Sequence, residues 1–294
     1  MSSSSSASTI SNKHSLKTVI KRAFIDNFNH VISDPPEEHL NELYSQDYFC
    51  FKYANKSFAA HFAIPRGQEY FTDFYREIGT PYIYGMYNHD TEKKTDTIIG
   101  TLTMIHRHDN RILQIVDVKI KKEFQGNGLL DKLISATLPI RMLKNTGYYI
   151  ISMNPNPRVD IICKNMIMTK MKNRGKMMIF IVSFEQITRM LSHLQTFYSG
   201  DIGFVNNNDK RIWYDAAGKK ELKLLHLHHN SLYRQFDFRE PQRGYQYCFA
   251  IHEDNDFIIK GLKDDYNVEP CATANIFAND FKTDWSKFIK TSEI

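Results

Sequence analysis

The sequence lacks the features by which several classes of protein are recognised. Its four cysteines, in a chain of 294 residues, lie far apart and form no CxxC pair, which argues against a zinc ribbon or a small disulfide scaffold. The first residues, MSSSSSASTI, contain no basic start followed by an apolar core, and no run approaches the length of a membrane span. We therefore expect a cytoplasmic protein with reduced thiols and a disordered Ser-rich tail over residues 1–14.

The chain also has little net charge. Its 38 basic and 33 acidic side chains give +5, which suits an acidic ligand but falls short of the basic stripe typical of a nucleic-acid-binding protein. With 42% hydrophobic residues, the chain can bury one large core or two ordinary ones. A folded protein without a clear nucleic-acid or membrane partner is expected.

Apolar spacing predicts alternating helices and strands along most of the chain. The predicted helices are 16–28, 68–77, 129–138, 158–171 and 185–197, and the predicted strands are 81–87, 98–105, 111–120, 148–153 and 176–184. Residues 88–97 read as the loop of a hairpin. Such alternation indicates an α/β or α+β domain.

The strand RILQIVDVKI is the most regular of these. Strict alternation would place Ile112, Val116, Val118 and Ile120 on one face, and Leu113, Ile115, Asp117 and Lys119 on the other. The helical pattern that begins at Leu129 follows it after a loop that contains Gly126 and Gly128.

The sequence also carries an internal echo at an offset of 163 residues. The offset aligns Tyr82 with Tyr245 and His89 with His252, and after a loop shorter by three it aligns 96–102 with 256–262. We interpret this as a degenerate duplication in which a helix and a two-stranded hairpin occur twice. The second copy has no glycine loop, so a site that depends on the loop occurs once.

A strand that ends in glycines at a helix start can bind a pyrophosphate. Backbone amides point outward there, the helix dipole adds partial positive charge, and Lys119, Lys121 and Lys122 add more. The spacing of Gln125 and Gly128 is weak evidence for a ligand-binding loop by itself. Arg76 and Gly79 have the same spacing but do not lie between a strand and a helix. The loop lacks the Lys-Ser or Lys-Thr ending of a P-loop and the Rossmann glycine pattern.

At IKKEFQGNGLLDKLI, after RILQIVDV, the sequence resembles the acyl-CoA-binding motif of the GNAT acyltransferase superfamily. The resemblance implies a mixed, curved sheet flanked by helices, in which the strand before the loop splays from its neighbour to admit acyl-CoA. It also implies that the backbone of Val118, Lys119 and Ile120 binds the pantetheine arm. The motif residues that would hold the pyrophosphate are Gln125, Gly126, Asn127, Gly128, Leu129, Leu130 and Asp131.

Three departures from the family pattern stand out. Leu130 replaces a final Gly or Ala and could crowd the phosphate, and Pro139 should kink or shorten the helix after about Leu138. In the helix after the next strand, the family often has a tyrosine that acts as a general acid, and this sequence has Cys163 near that place. The residue that protonates the leaving thiolate is therefore not identified.

Transfer from a thioester to an amine also needs a base. Asp117 is the best candidate, and its alternative is a strand-edge carboxylate paired with a lysine. Asn154 lies where such enzymes often place an asparagine near the cofactor, Asn156 is an equal competitor, and NPNP can equally be a simple turn. Cys163 is better explained as a small buried residue than as a nucleophile.

A histidine cluster and a set of alternating tyrosines can be explained without a functional site. HLHH, from His226 to His229, lacks a nearby carboxylate or cysteine, so no metal is expected. The alternating tyrosines Tyr82, Tyr84, Tyr245 and Tyr247 are better explained by packing than by a substrate groove.

The leading hypothesis is an N-acyltransferase that moves an acetyl or other acyl group directly from acyl-CoA, without a metal, to an amine on a small molecule or protein. Its GNAT-like domain would span 15–198, and a second, smaller lobe that partly repeats the first would span 199–294, with the acceptor between them. The main alternative is a non-catalytic GNAT-like sensor of a CoA ester or a protein-interaction module. A third option is an unrelated α/β binding protein.

Overall fold

A computed structural model describes most of the chain. The described residues are 23–24, 29–44, 47–54, 59–66, 75, 79–107, 112–142, 147–153, 159, 163, 171–197, 202–204, 212–213, 221–227, 241–280 and 282–286. The predicted tail, nearly all of the predicted helices 68–77 and 158–171, and Asn154 and Asn156 lie outside these ranges.

The described elements are fourteen strands and four helices. The strands are β1 (Ala23–Phe24), β2 (Asn29–Ser33), β3 (Asp47–Ala54), β4 (Ala59–Arg66), β5 (Gly79–Asp90), β6 (Thr95–Arg107), β7 (Ile112–Ile120), β8 (Gly147–Met153), β9 (Lys172–Ser183), β10 (Ile202–Phe204), β11 (Ile212–Trp213), β12 (Glu221–Leu227), β13 (Gln246–His252) and β14 (Ala272–Ala278). The helices are α1 (Glu37–Tyr44), α2 (Leu129–Met142), α3 (Phe184–Phe197) and α4 (Asp256–Tyr266).

These strands form a single mixed sheet in the order β1-β2-β5-β6-β7-β8-β14-β9-β13-β12-β11-β4-β3, with β10 paired to β12. Two described pairings, β7 with β8 and β12 with β13, are parallel, and the others are antiparallel. The predicted mixed α/β class is confirmed. None of the described helices combines the length and the apolar character that a membrane span requires.

Helices cover both faces of the sheet. On one face, Leu129 and Leu133 of α2 pack on Leu113 and Ile115 of β7 and on Tyr148 of β8, and we call this group the α2 cluster. Helices α3 and α4 pack beside it on the same face through a second core. On the opposite face, α1 packs on β5 and β6 through residues that we call the α1 cluster: Leu40, Leu43, Ile83, Tyr87, Ile98 and Ile105.

The predicted hairpin is confirmed as β5 and β6. These strands pair from Gly79 with Arg107 to Asp90 with Thr95. The Asp90 carboxylate accepts hydrogen bonds from the backbone amides of Glu92 and Lys93, both at 3.0 Å, which closes the turn. The predicted strands around 148–153 and 176–184 and the helix around 185–197 are also present.

The predicted helix over 16–28 is wrong where it can be compared with the structure. Ala23 and Phe24 are extended and pair with Val31 and His30 of β2. Strand β2 in turn pairs with β5, so backbone bonds along a sheet edge override the helical spacing of the side chains. The helix of this region is α1, which begins directly after Pro36, and the amides of His39 and Leu40 bond to the Pro36 carbonyl.

The echoed hairpin is not repeated. Residues 256–266 form helix α4, whereas their counterparts in the alignment lie in strand β6. In α4, Ile258 and Leu262 are buried at a spacing of four residues, which suits a helix face. The alignment had paired identical residues across two different local structures.

Pro139 does not shorten α2 as one reading of its position predicted, because the helix continues to Met142, and a kink there stays a prediction. A proline in a helix removes one backbone hydrogen bond and does not always end the helix.

The predicted domain boundary near residue 198 stays a prediction. Strand β14, from the end of the chain, lies between β8 and β9 of the first part.

Because Tyr87 is buried, we expect the protein to lose stability at alkaline pH. Its hydroxyl lies 2.9 Å from Nδ1 of His39, and burial, with a smaller contribution from the Asp96 charge, raises its pKa to about 12. Because the unfolded tyrosine ionises near pH 10, the free energy of unfolding should fall as pH rises from about 10 to 12. Tyr87→Phe should reduce this fall by an amount on the order of 2 kcal/mol. Urea unfolding across this pH range measures it, and an equal fall in both proteins would contradict the assignment.

Candidate functional site

Strands β7 and β8 diverge at one end of the sheet. They pair in parallel only from Ile112 with Gly147 to Ile115 with Ile150. Beyond that point β7 continues to Ile120 and β8 to Met153, without pairing to each other among the described residues. A gap therefore opens between two neighbouring strands, with its closed end at Ile115 and Ile150.

A β-bulge in β7 lies at the mouth of this gap. Thr103 of β6 pairs with Val116, but Thr101 pairs with Lys119, so β7 has one residue more than β6 in this stretch. Asp117 has a φ of 52°, a left-handed conformation that aspartate tolerates better than most residues. The Thr101 hydroxyl donates to the Asp117 carbonyl at 3.4 Å.

The bulge corrects the predicted faces of β7. Strict alternation placed Ile120 with Val116, but Ile120 packs against the α2 cluster, whereas Val116 packs against the α1 cluster on the other face. The pairing of Thr101 with Lys119 and of Thr103 with Val116 puts Lys119 on the side of Val116. Val118 lies between them and is 40% exposed. One extra residue in a strand inverts every side chain after it.

The loop after β7 is built to expose backbone. The Lys121 amide donates to the Ile99 carbonyl at 2.7 Å, and a 3-10 turn follows over Lys122–Phe124. Gly126 and Gly128 have φ values of 86° and 66°, and a Cβ built on either glycine has no described atom within 4 Å. Both glycines therefore lie in left-handed conformations, beside open space that a ligand can occupy.

Two side chains close the loop on itself. Nε2 of Gln125 donates to the Ile120 carbonyl at 2.8 Å, and Nδ2 of Asn127 donates to the Phe124 carbonyl at 3.4 Å. The sequence predicted both residues as cofactor-binding; in the structure their side chains brace the loop. Such contacts are compatible with a role for their backbone in binding.

Helix α2 begins directly at the glycines. The first described helical bond runs from the Lys132 amide to the Gly128 carbonyl at 3.2 Å. The amides of Leu129, Leu130 and Asp131 precede it, and amides of a first helical turn have no partner within the helix. Leu129 is buried and Leu130 is partly buried against the α2 cluster, so both side chains contact the core.

Two lysines that precede the loop lie on the α1 side of the sheet. Lys119 is half-buried, and burial, with a smaller contribution from the charge of Lys121, lowers its pKa. The Lys121 ammonium lies 3.5 Å from a carboxylate oxygen of Glu42, which links α1 to the start of the loop.

Other predicted residues lie elsewhere. Cys163 is buried in the α2 cluster, as expected of a small core residue. Tyr84 and Tyr247 are core residues, and Tyr82 and Tyr245 pack against the same cores, which confirms the packing interpretation. Within the described part of the chain, no group of three His, Cys, Asp or Glu could hold a metal ion; His228 and His229 lie outside it.

The bulge was missed at the sequence level. The side chains of β7 alternate regularly in the sequence, and a strand with a bulge can have the same sequence pattern as a strand without one. The contact of Glu42 with Lys121 was missed as well, because α1 itself was not predicted. Both depend on pairing between segments that are remote in the sequence.

Solved structures of several acetyltransferases show a distant likeness to the chain. A nourseothricin acetyltransferase is 13% identical with a TM-score of 0.32, over 50% of this chain and 85% of that one. NAA60 of Arabidopsis thaliana, solved with a bisubstrate analogue, is 13% identical with a TM-score of 0.35, over 50% and 87% of the two chains. An acetyltransferase structure from Pyrococcus horikoshii is 11% identical with a TM-score of 0.39, over 71% and 76%.

No protein-family model matches the chain, and no curated protein matches its sequence at a significant level. Likeness at these scores carries no weight for activity.

The left-handed Asp117 gives a prediction about stability. Asp117→Gly should leave the free energy of unfolding nearly unchanged, because glycine adopts a positive φ without cost. Asp117→Val should lower it by about 1–2 kcal/mol, because a β-branched residue is strained there. Urea unfolding of both variants compares them, and a valine variant as stable as the glycine variant would contradict the bulge.

Proposed function

We propose that the protein is an N-acyltransferase that takes an acyl group from acetyl-CoA or another acyl-CoA and transfers it directly to an amine. The observation that carries the proposal is the juxtaposition of the gap between β7 and β8 with a glycine loop that opens helix α2. A long ligand with an anionic head and a narrow chain has complementary shape and charge.

In this proposal the pyrophosphate binds the amides from Gly126 to Asp131. The positive φ of both glycines and the open space beside them support close approach of a phosphate. Lys119, Lys121 and Lys122 precede the loop in the chain, and their positive charge favours an anion at longer range. The pantetheine arm then follows β7, where the backbone of Val118, Lys119 and Ile120 bonds its amides as an added strand would.

The reaction begins when a neutral amine attacks the thioester carbonyl carbon. A C–N bond forms, negative charge gathers on the carbonyl oxygen, and the C–S bond then breaks to leave the CoA thiolate. One proton leaves the amine nitrogen, and the thiolate takes up one. Backbone amides near the bulge are suited to stabilise the oxygen, because a bulge frees amides from the strand ladder. We assign the removal of the amine proton to Asp117, acting directly or through water.

The three cysteines whose side chains the structure describes do not favour a covalent route. Cys163, Cys248 and Cys271 are free thiols, and all three are buried. Burial raises the pKa of Cys271 to about 12, which keeps its thiol protonated near neutral pH. Buried thiols are poor nucleophiles, so direct transfer to the amine is the simpler reaction.

Gly128→Glu tests the phosphate site. The new carboxylate would lie where the pyrophosphate binds, so acetyl-CoA affinity should fall at least about tenfold. Isothermal titration calorimetry measures it. Gly244→Glu is the matched control, because Gly244 also has a positive φ of 88° and open space around it but lies just before β13, three strands from β8. Absence of binding to the wild type, or equal affinity in both variants, would refute the proposal.

Asp117→Asn tests the base. Asparagine keeps the shape of the side chain and tolerates the left-handed backbone, but it cannot take up a proton at neutral pH. We expect kcat to fall at least about a hundredfold with acetyl-CoA affinity unchanged. Thioester turnover with a panel of amines measures it. Unchanged kcat would remove Asp117 from the chemistry, and binding of acetyl-CoA by wild type without turnover of any amine would favour a CoA-ester sensor.

A further inference from the structure

Ser152 lies in the part of β8 that β7 leaves unpaired. Along β8, Tyr148 and Ile150 pack against the α2 cluster, and alternation puts Ser152 on that same face. Its partner across the sheet is Asn275 of β14, so β8 is held at this point from one side only. The serine hydroxyl therefore lies on the side of the sheet that carries α2 and the glycine loop.

The register places Ser152 deep in the gap. Ile115 and Ile150 are the last paired residues, so Ser152 on β8 and the bulge residue Asp117 on β7 are each two positions beyond the closed end. Two residues of strand span roughly 7 Å. The narrow arm of a ligand that enters at the loop beyond Ile120 and runs along β7 would end beside Ser152 and Asp117.

The hydroxyl of Ser152 is buried and has no hydrogen-bond partner among the residues that the structure describes. The residue is 5% exposed, and its Oγ has no hydrogen bond within the described part of the chain. Burying an unpaired hydroxyl costs about 1–3 kcal/mol, and such groups are rare in folded proteins. Thr137 of α2 is a contrast on the same side of the sheet, because its buried hydroxyl donates to the Leu133 carbonyl at 2.8 Å.

We propose that Ser152 donates a hydrogen bond to the carbonyl oxygen of the acyl group on bound acyl-CoA. The inference rests on the proposed function, because that function requires the acyl end of the bound ligand to lie near the closed end of the gap. The hydroxyl keeps its proton throughout, and no bond to Ser152 forms or breaks. Its hydrogen bond strengthens as negative charge develops on the oxygen, so it accelerates transfer as well as favouring the acylated ligand.

Free CoA lacks the acyl carbonyl, which provides a selective test. Ser152→Ala should weaken acetyl-CoA about 5- to 10-fold and leave the affinity of free CoA unchanged, as measured by calorimetry without an amine. In turnover assays its kcat should fall about 10- to 100-fold. Its Tm should stay the same or rise, because the substitution removes an unpaired buried hydroxyl rather than a hydrogen bond.

Thr137→Val is the control, because it deletes a buried hydroxyl that is already paired. It should lower Tm and leave the ratio of the two affinities unchanged. The proposal for Ser152 is overturned if Ser152→Ala weakens both ligands equally, weakens neither, or lowers Tm without a selective loss. If the wild type binds neither acetyl-CoA nor CoA, the proposed function itself fails and takes this proposal with it, an outcome distinct from the others.

Discussion

The candidate site depends on one constraint, which is that β7 and β8 share backbone hydrogen bonds over only four residues of each strand. Parallel strands that stayed paired would close the sheet and leave no room for a ligand. The bulge at Asp117 marks the point where β7 turns away, and the loop and helix α2 follow from the end of that strand. The gap and the exposed amides are consequences of the same divergence.

Strand β8 can leave β7 without fraying because the end of the chain holds its other edge. Strand β14 pairs with it from Tyr149 to Met153. The Asn279 side chain accepts a hydrogen bond from the Tyr148 amide at 2.8 Å, and a Cβ at Gly147 would lie 2.9 Å from Cβ of Asp280, so the approach there requires glycine. A segment more than a hundred residues downstream thus stabilises one wall of the gap.

Local pattern was sufficient where neighbours in the chain are also neighbours in space. The β5–β6 hairpin, β7, and the passage from β7 through the glycines into α2 could all be read directly. The pattern misled where pairing was remote. Before Phe28, the pairing of β1 and β2 at the sheet edge overrode the helical spacing of the side chains. Residues 256–262 resembled a strand by identity, yet they form a helix in which Ile258 and Leu262 are buried.

The sequence by itself determined that a strand, a loop with two glycines and a helix follow one another, because glycine, alternation and helical spacing are local properties. It also identified the residues that could expose backbone to an anion. Only the tertiary structure decided that Asp117 forms a bulge, that Ile120 lies on the face opposite Val116, and that Ser152 is buried beside the gap. These outcomes depend on register between β6, β7, β8 and β14, and register is set by hydrogen bonds between segments far apart in the chain.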